Sequence, residues 1–159
     1  MIKIHKIIAS GFGTGYVPIA PGTAGSILGI VLFYLLNQIE INLGLSLNTI
    51  LLVNAGVIFF VTLVGVNSIK NVHYQWKHDA SAIVIDEIVG VWIAVFAMPH
   101  EWKYYIIALI LFRFFDITKP FFIRKLDKMS SDWSVMLDDV LAGLYSLVVI
   151  QILHGLGII

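Results

Sequence analysis

Five apolar stretches run along the chain, at roughly 23–39, 49–67, 82–98, 103–118 and 135–156, each closed by a polar segment. A hydrocarbon core about 30 Å thick takes about 20 helical residues to cross, so the pattern predicts an all-α integral membrane protein, a compact bundle of about five transmembrane helices. The breaks are the turn at 40–48, the loop at 68–79, Pro99-His100-Glu101, and Pro120 followed by a basic segment from Arg124 to Asp132. The stretch from Gly11 to Ser26 carries Gly11, Gly13, Gly15, Pro18, Pro21, Gly22 and Gly25, and reads as a Gly/Pro-rich N-terminal loop that feeds the first helix. Such backbone is tolerated at membrane depth only when it is buried in protein or lines a cavity, so the loop is expected to pack at the cytoplasmic face of the bundle.

Alternation of five spans sets a topology. With the N-terminus in the cytoplasm, the inner side receives Lys3, Lys6, Lys70, Lys77, Lys119, Arg124, Lys125 and Lys128, and the outer side only Lys103. That asymmetry satisfies the positive-inside rule. Composition agrees: the 159 residues are 59% hydrophobic and 13% charged, with a mean hydropathy of +0.94. This is too apolar for an ordinary soluble domain and reads as one membrane-embedded domain over 1–159. The formal net charge is zero, which provides no general field for nucleic acid. Absence of cysteine excludes disulfides, thiolate metal ligation and a cysteine nucleophile. Lys3 and Lys6 before an apolar run resemble a signal peptide, but Gly11, Gly13 and Gly15 interrupt that run, so the N-terminus is expected to be retained.

Charge inside apolar phrases is costly, by a few kcal/mol per group toward a helix centre, and therefore points to function. Asp138-Asp139 opens an uncharged tail from Val140 to Ile159, Asp86-Glu87 follows Ile83-Val84-Ile85, and Asp116 ends the run Phe112-Arg113-Phe114-Phe115. Under the five-span topology all three phrases fall at cytoplasmic helix ends, together with Gly22-Thr23, and can converge on one cleft. Hard divalent cations such as magnesium take oxygen ligands, and Asp86, Glu87, Asp138 and Asp139 supply them from two helices. Adjacent helical positions point about 100° apart, so one acid of each pair is expected to face the site and its neighbour another partner. The plainer alternative is interfacial acids paired with lysine or favoured by a helix N-terminus.

Arg113 and Lys119 are the candidate phosphate ligands, by bidentate or charge-assisted hydrogen bonds, although Arg113 also has Asp116 three residues away to neutralise. Gly22, Thr23 and Ser26 open a helix whose free amides could meet a phosphate; a tight turn with small-residue packing explains the same residues, and the P-loop pattern is not matched. Gly90 and Gly143 read as close helix packing. His78 and Asp79, just before the third span, are candidates for proton transfer, against the simpler reading of a solvated loop.

Taken together the phrases resemble the phosphatidylglycerophosphatase A family of bacterial membrane phosphatases, through Gly11 to Ser26, His78-Asp79 with Ile83 to Gly90, Phe112 to Pro120, Ile123-Arg124 and Met136 to Gly143. The chain departs from the family pattern at Phe122, where a second proline is frequent, and at Ser131-Asp132-Trp133-Ser134, where a glycine-rich turn is frequent. The resemblance implies an enzyme of the bacterial inner membrane with its site toward the cytoplasm. It implies magnesium-dependent (Mg2+) hydrolysis of the terminal phosphomonoester of phosphatidylglycerophosphate, giving phosphatidylglycerol and phosphate. The rival readings are a small cation transporter or channel subunit, since membrane carboxylates also mark ion paths, and an inactive protein that binds anionic lipid.

Overall fold

A computed structural model describes residues 2–76, 81–129 and 131–159, and the described residues form helices and turns with no strand. The helices are α1 (Ile2–Ala9), α2 (Pro21–Asn42), α3 (Leu47–Val72), α4 (Ile85–Val95), α5 (Trp102–Thr118), α6 (Ile123–Asp127) and α7 (Asp132–Gly155). Three of them, α2, α3 and α7, are long and apolar enough to cross a membrane. At 1.5 Å per residue they run about 33, 39 and 36 Å, against about 30 Å of hydrocarbon. The 17 residues of α5 reach about 25 Å, and the 11 of α4 only about 16 Å.

Local chemistry explains the boundaries. Pro21 sits at the first position of α2, where its missing N–H is no loss. Ser46 caps α3 by accepting from the Thr49 N–H at 3.3 Å, and Ser131 with Ser134 forms a reciprocal capping box that starts α7. The residues that depart from the family pattern at 131–134 therefore act as a helix start. Before α4, the Val84 N–H donates to the Ala9 carbonyl at 2.9 Å, tying the end of α1 to the beginning of α4. After α4 the chain turns extended at Phe96 and left-handed at Ala97 (φ 60), which ends the helix well short of the expected 98.

The core is centred on α4, nine of whose eleven residues are buried. It packs chiefly against α7 and α2. Trp92 donates its indole N–H to the Gly29 carbonyl at 2.7 Å and stacks on Phe33 at 5.6 Å, so the polar edge of a buried ring is satisfied across two helices. Around the crossing of α4 and α7 both helices are bare: a Cβ on Gly143 would overlap the Gly90 carbonyl oxygen, and one on Gly90 would meet the Asp139 carbonyl oxygen at 2.8 Å. At the edge of the core, Tyr34 stacks on His100 (4.3 Å) and on Trp102 (4.0 Å), joining α2 to the loop before α5 and to the first residue of α5. Burial pushes the His100 pKa below its ordinary value.

Candidate active site

The glycine crossing explains how acids from two helices meet. Asp86 lies one turn before Gly90 and Asp139 one turn before Gly143, so where the helices touch through backbone, these side chains are brought face to face. One carboxylate oxygen from each of Asp86, Glu87 and Asp139 lies within 4.8 Å of the others. Asp86 and Asp139 are buried, and Oε2 of Glu87 is buried without a hydrogen-bond partner. Three like charges so close repel strongly, and an oxygen-only donor set of this kind suits a hard cation. The group can hold a metal ion.

Asp138, expected among the metal ligands, turns instead toward Lys119: its Oδ2 accepts from Lys119 Nζ at 2.8 Å. The same ammonium donates to Asp127 of α6. Burial alone would push the Lys119 pKa down, but the hydrogen bonds to Asp127 and Asp138 outweigh it and hold the pKa above the usual lysine value. Lys119 is thus a fixed positive charge. Its backbone is left-handed (φ 43), and its N–H returns to the Phe115 carbonyl at 2.8 Å to close α5.

Arg113 takes the facing wall. Its Nη1 lies 2.6 Å from Asp116 Oδ2 and 3.8 Å from Glu87 Oε1, while Nε is buried with no hydrogen-bond partner. Gly22, at the start of α2, makes room for this arrangement: a Cβ there would overlap Glu87 Oε1 and stand 3.0 Å from Arg113 Nη1. Gly22 lines the cleft; Thr23 and Ser26 do not, and the buried Ser26 hydroxyl donates to the Gly22 carbonyl at 2.8 Å. His78 and Asp79 lie outside the described residues.

The resulting cleft has a volume of about 390 Å³, and among its described lining residues six carboxylates (Asp86, Glu87, Asp116, Asp127, Asp138, Asp139) face two bases (Arg113, Lys119). Such an excess of negative charge would repel an anionic substrate unless a cation joined it. Asp127 is the member that sequence reasoning passed over, because an acid in a hydrophilic segment beside Lys125 and Lys128 gives no signal of expense. First-turn residues of α2 (Pro21, Gly22) and of α4 (Asp86, Glu87) line the cleft, and a helix N-terminus carries partial positive charge.

A family model described as Phosphatidylglycerophosphatase A matches residues 7–154. The chain belongs to the phosphatidylglycerophosphatase A family. Among curated members named Phosphatidylglycerophosphatase A, the Haemophilus influenzae protein is 38% identical over 156 residues, covering 92% of this chain and 86% of its own. The one from Escherichia coli is 33% identical over 142 residues, 88% of this chain and 77% of its own. A Bacteroides thetaiotaomicron relative, provisionally named a phosphatidylinositol-3-phosphatase, is 38% identical over 149 residues, 92% of this chain and 91% of its own. No solved structure matches. Every described cleft residue named above falls inside the segment that matches the phosphatidylglycerophosphatase A family.

Proposed function

We propose that residues 1–159 form one membrane-embedded phosphatase that hydrolyses the terminal phosphomonoester of phosphatidylglycerophosphate, releasing phosphatidylglycerol and phosphate. The observation that carries this reading is the cleft in which three clustered carboxylates stand opposite Arg113 and Lys119, in a chain of the phosphatidylglycerophosphatase A family.

Asp86, Glu87 and Asp139 would hold a divalent cation, for which Mg2+ is the best fit by donor type; Asp138 stands beside them to fix Lys119. When bound, such an ion neutralises phosphate charge and lowers the pKa of a water molecule. Arg113 and Lys119 orient the non-bridging phosphate oxygens and stabilise the charge that spreads over them in the transition state. Asp116 aims the guanidinium. Water oxygen bonds to phosphorus as the P–O bond to glycerol breaks; a cleft carboxylate takes one proton from the water and passes it to the leaving glycerol oxygen, which restores the carboxylate. Direct attack by water is preferred because the chain has no cysteine and, among the described residues, no serine stands in a nucleophile-base arrangement; trapping of an aspartyl-phosphate would reverse that preference.

In the bilayer, α4 and α5 complete a five-span bundle with α2, α3 and α7, the short α4 being wrapped by protein instead of lipid. The basic residues at the cleft end of the chain support a cytoplasmic orientation in the bacterial inner membrane. The name of the Bacteroides relative gives the inositol lipid as a second candidate, since both lipids present a phosphomonoester. Phosphate release from phosphatidylglycerophosphate and from phosphatidylinositol 3-phosphate in mixed micelles separates the two. Faster turnover of the glycerol lipid is expected. The opposite preference would move the assignment to the inositol lipid, and no release from either by folded, metal-supplied protein would overturn it.

A further inference from the structure

Two segments that line the cleft each place an exposed apolar residue next to a cleft residue. Ala20 and Pro21 line it while Ile19 is 82% exposed, and Lys119 lines it while Phe121 and Phe122 are 85% and 67% exposed. The backbone makes the separation. Ala20 (φ 52), Lys119 (φ 43) and Phe121 (φ 50) are all left-handed, a conformation that non-glycine residues adopt only at a cost. Around Pro120 this turn sends the Lys119 ammonium inward to Asp138 and leaves both phenyl rings outside.

Exposed apolar side chains at the rim of a polar cleft call for an apolar occupant. The following turn says what kind. Ile123 is fully buried and anchors α6, whereas Arg124, Lys125 and Lys128 are exposed beside the two phenylalanines. Exposed aromatics next to a cluster of bases match an anionic lipid surface, to which each base is attracted.

We propose that Ile19 and Phe121-Phe122 are apolar lips that hold the acyl chains of the anionic phospholipid whose phosphate enters the cleft, with Arg124, Lys125 and Lys128 on the surrounding headgroups. The inference rests on the lipid-phosphatase reading. It makes the enzyme selective for a phosphomonoester that arrives on a membrane anchor, with selection exerted through binding of the chains and not through the chemical step.

Two measurements test it. The chain has no cysteine, so Phe121→Cys can carry a single nitroxide in vesicles of phosphatidylglycerol and phosphatidylcholine. Greater relaxation by oxygen than by an aqueous nickel chelate is expected; the reverse would overturn the proposal irrespective of activity. In kinetics, the double variant Phe121→Ser with Phe122→Ser should raise KM for long-chain phosphatidylglycerophosphate on the order of tenfold with kcat little changed, while turnover of a short-chain, water-soluble analogue stays at the wild-type rate. Equal KM for the long-chain lipid, or equal losses on both substrates, would also overturn it. Failure of the wild-type protein to release phosphate from either substrate would instead count against the lipid-phosphatase reading, and the nitroxide result would still report on the lips.

Discussion

Gly143 of α7 meets Gly90 of α4 so closely that a Cβ on the former would overlap the carbonyl oxygen of the latter. One turn away on the same two helices stand Asp139 and Asp86, so a contact without side chains determines the distance between two carboxylates. Gly143→Ala should therefore separate them while leaving every charged group in place. The overlap costs on the order of 1–3 kcal/mol, seen as a lower unfolding temperature, and phosphatase activity should fall further than stability alone explains. Gly56→Ala in α3, where nothing lies within 4 Å, is the control and should be neutral or stabilising in the same thermal scan.

Arg113 balances Asp116 and Glu87 in the cleft. Arg113→Lys keeps the charge but loses the planar fork. Its expected signature is near-normal folding with kcat/KM lowered on the order of 10²-fold, the scale at which an oriented transition-state donor acts. Retention of activity would show that the guanidinium serves only to neutralise the two acids.

Lys119 bridges Asp127 and Asp138. Asp127→Asn weakens one of two tethers, leaving the ammonium held by Asp138 alone and the cleft one negative charge lighter. A several-fold fall in kcat that Asp127→Glu restores is expected, and an unchanged rate would make the contact merely structural.

His100, which does not line the cleft, offers a pH test of its own. Its Nε2 is hydrogen-bonded to Gln38 Oε1 at 3.1 Å and its Nδ1 to Tyr105 Oη at 2.9 Å, a pair of contacts that a neutral ring can satisfy by donating to the amide oxygen and accepting from the tyrosine hydroxyl. Its folded pKa lies below the unfolded value of about 6.5. In that window the unfolded chain binds the extra proton, so this contribution to stability is complete above about pH 6.5 and is lost as pH falls through the folded pKa. Unfolding temperature should drop between pH 7.5 and 5.5, and His100→Gln should flatten the drop.

Much of the site was legible because a charge among apolar residues is conspicuous: Asp86, Glu87, Arg113, Asp116, Lys119, Asp138 and Asp139 all line the observed cleft. The rule that neighbouring acids diverge holds for Asp138 and Asp139, which face Lys119 and the carboxylate group respectively, but both Asp86 and Glu87 reach that group because the longer glutamate side chain spans the difference. Hydropathy alone cannot find the end of a helix that stops inside protein. The apolar run at 82–98 contains a helix of only 11 residues, because Val84 is held by Ala9 and the backbone leaves the helical region at Phe96 and Ala97. Helix α1 and the role of Asp127 depended on contacts between distant segments, which a local pattern does not carry.

The metal claim is tested most directly by phosphate release from phosphatidylglycerophosphate, measured with Mg2+ and with chelator for wild type and Asp139→Asn, alongside thermal unfolding under the same conditions. Wild type is expected to release phosphate only with the ion and to unfold at a higher temperature when the ion is added, and a folded Asp139→Asn to lose both effects. Release that persists in chelator, or a variant that still responds to the ion as wild type does, would contradict the metal claim.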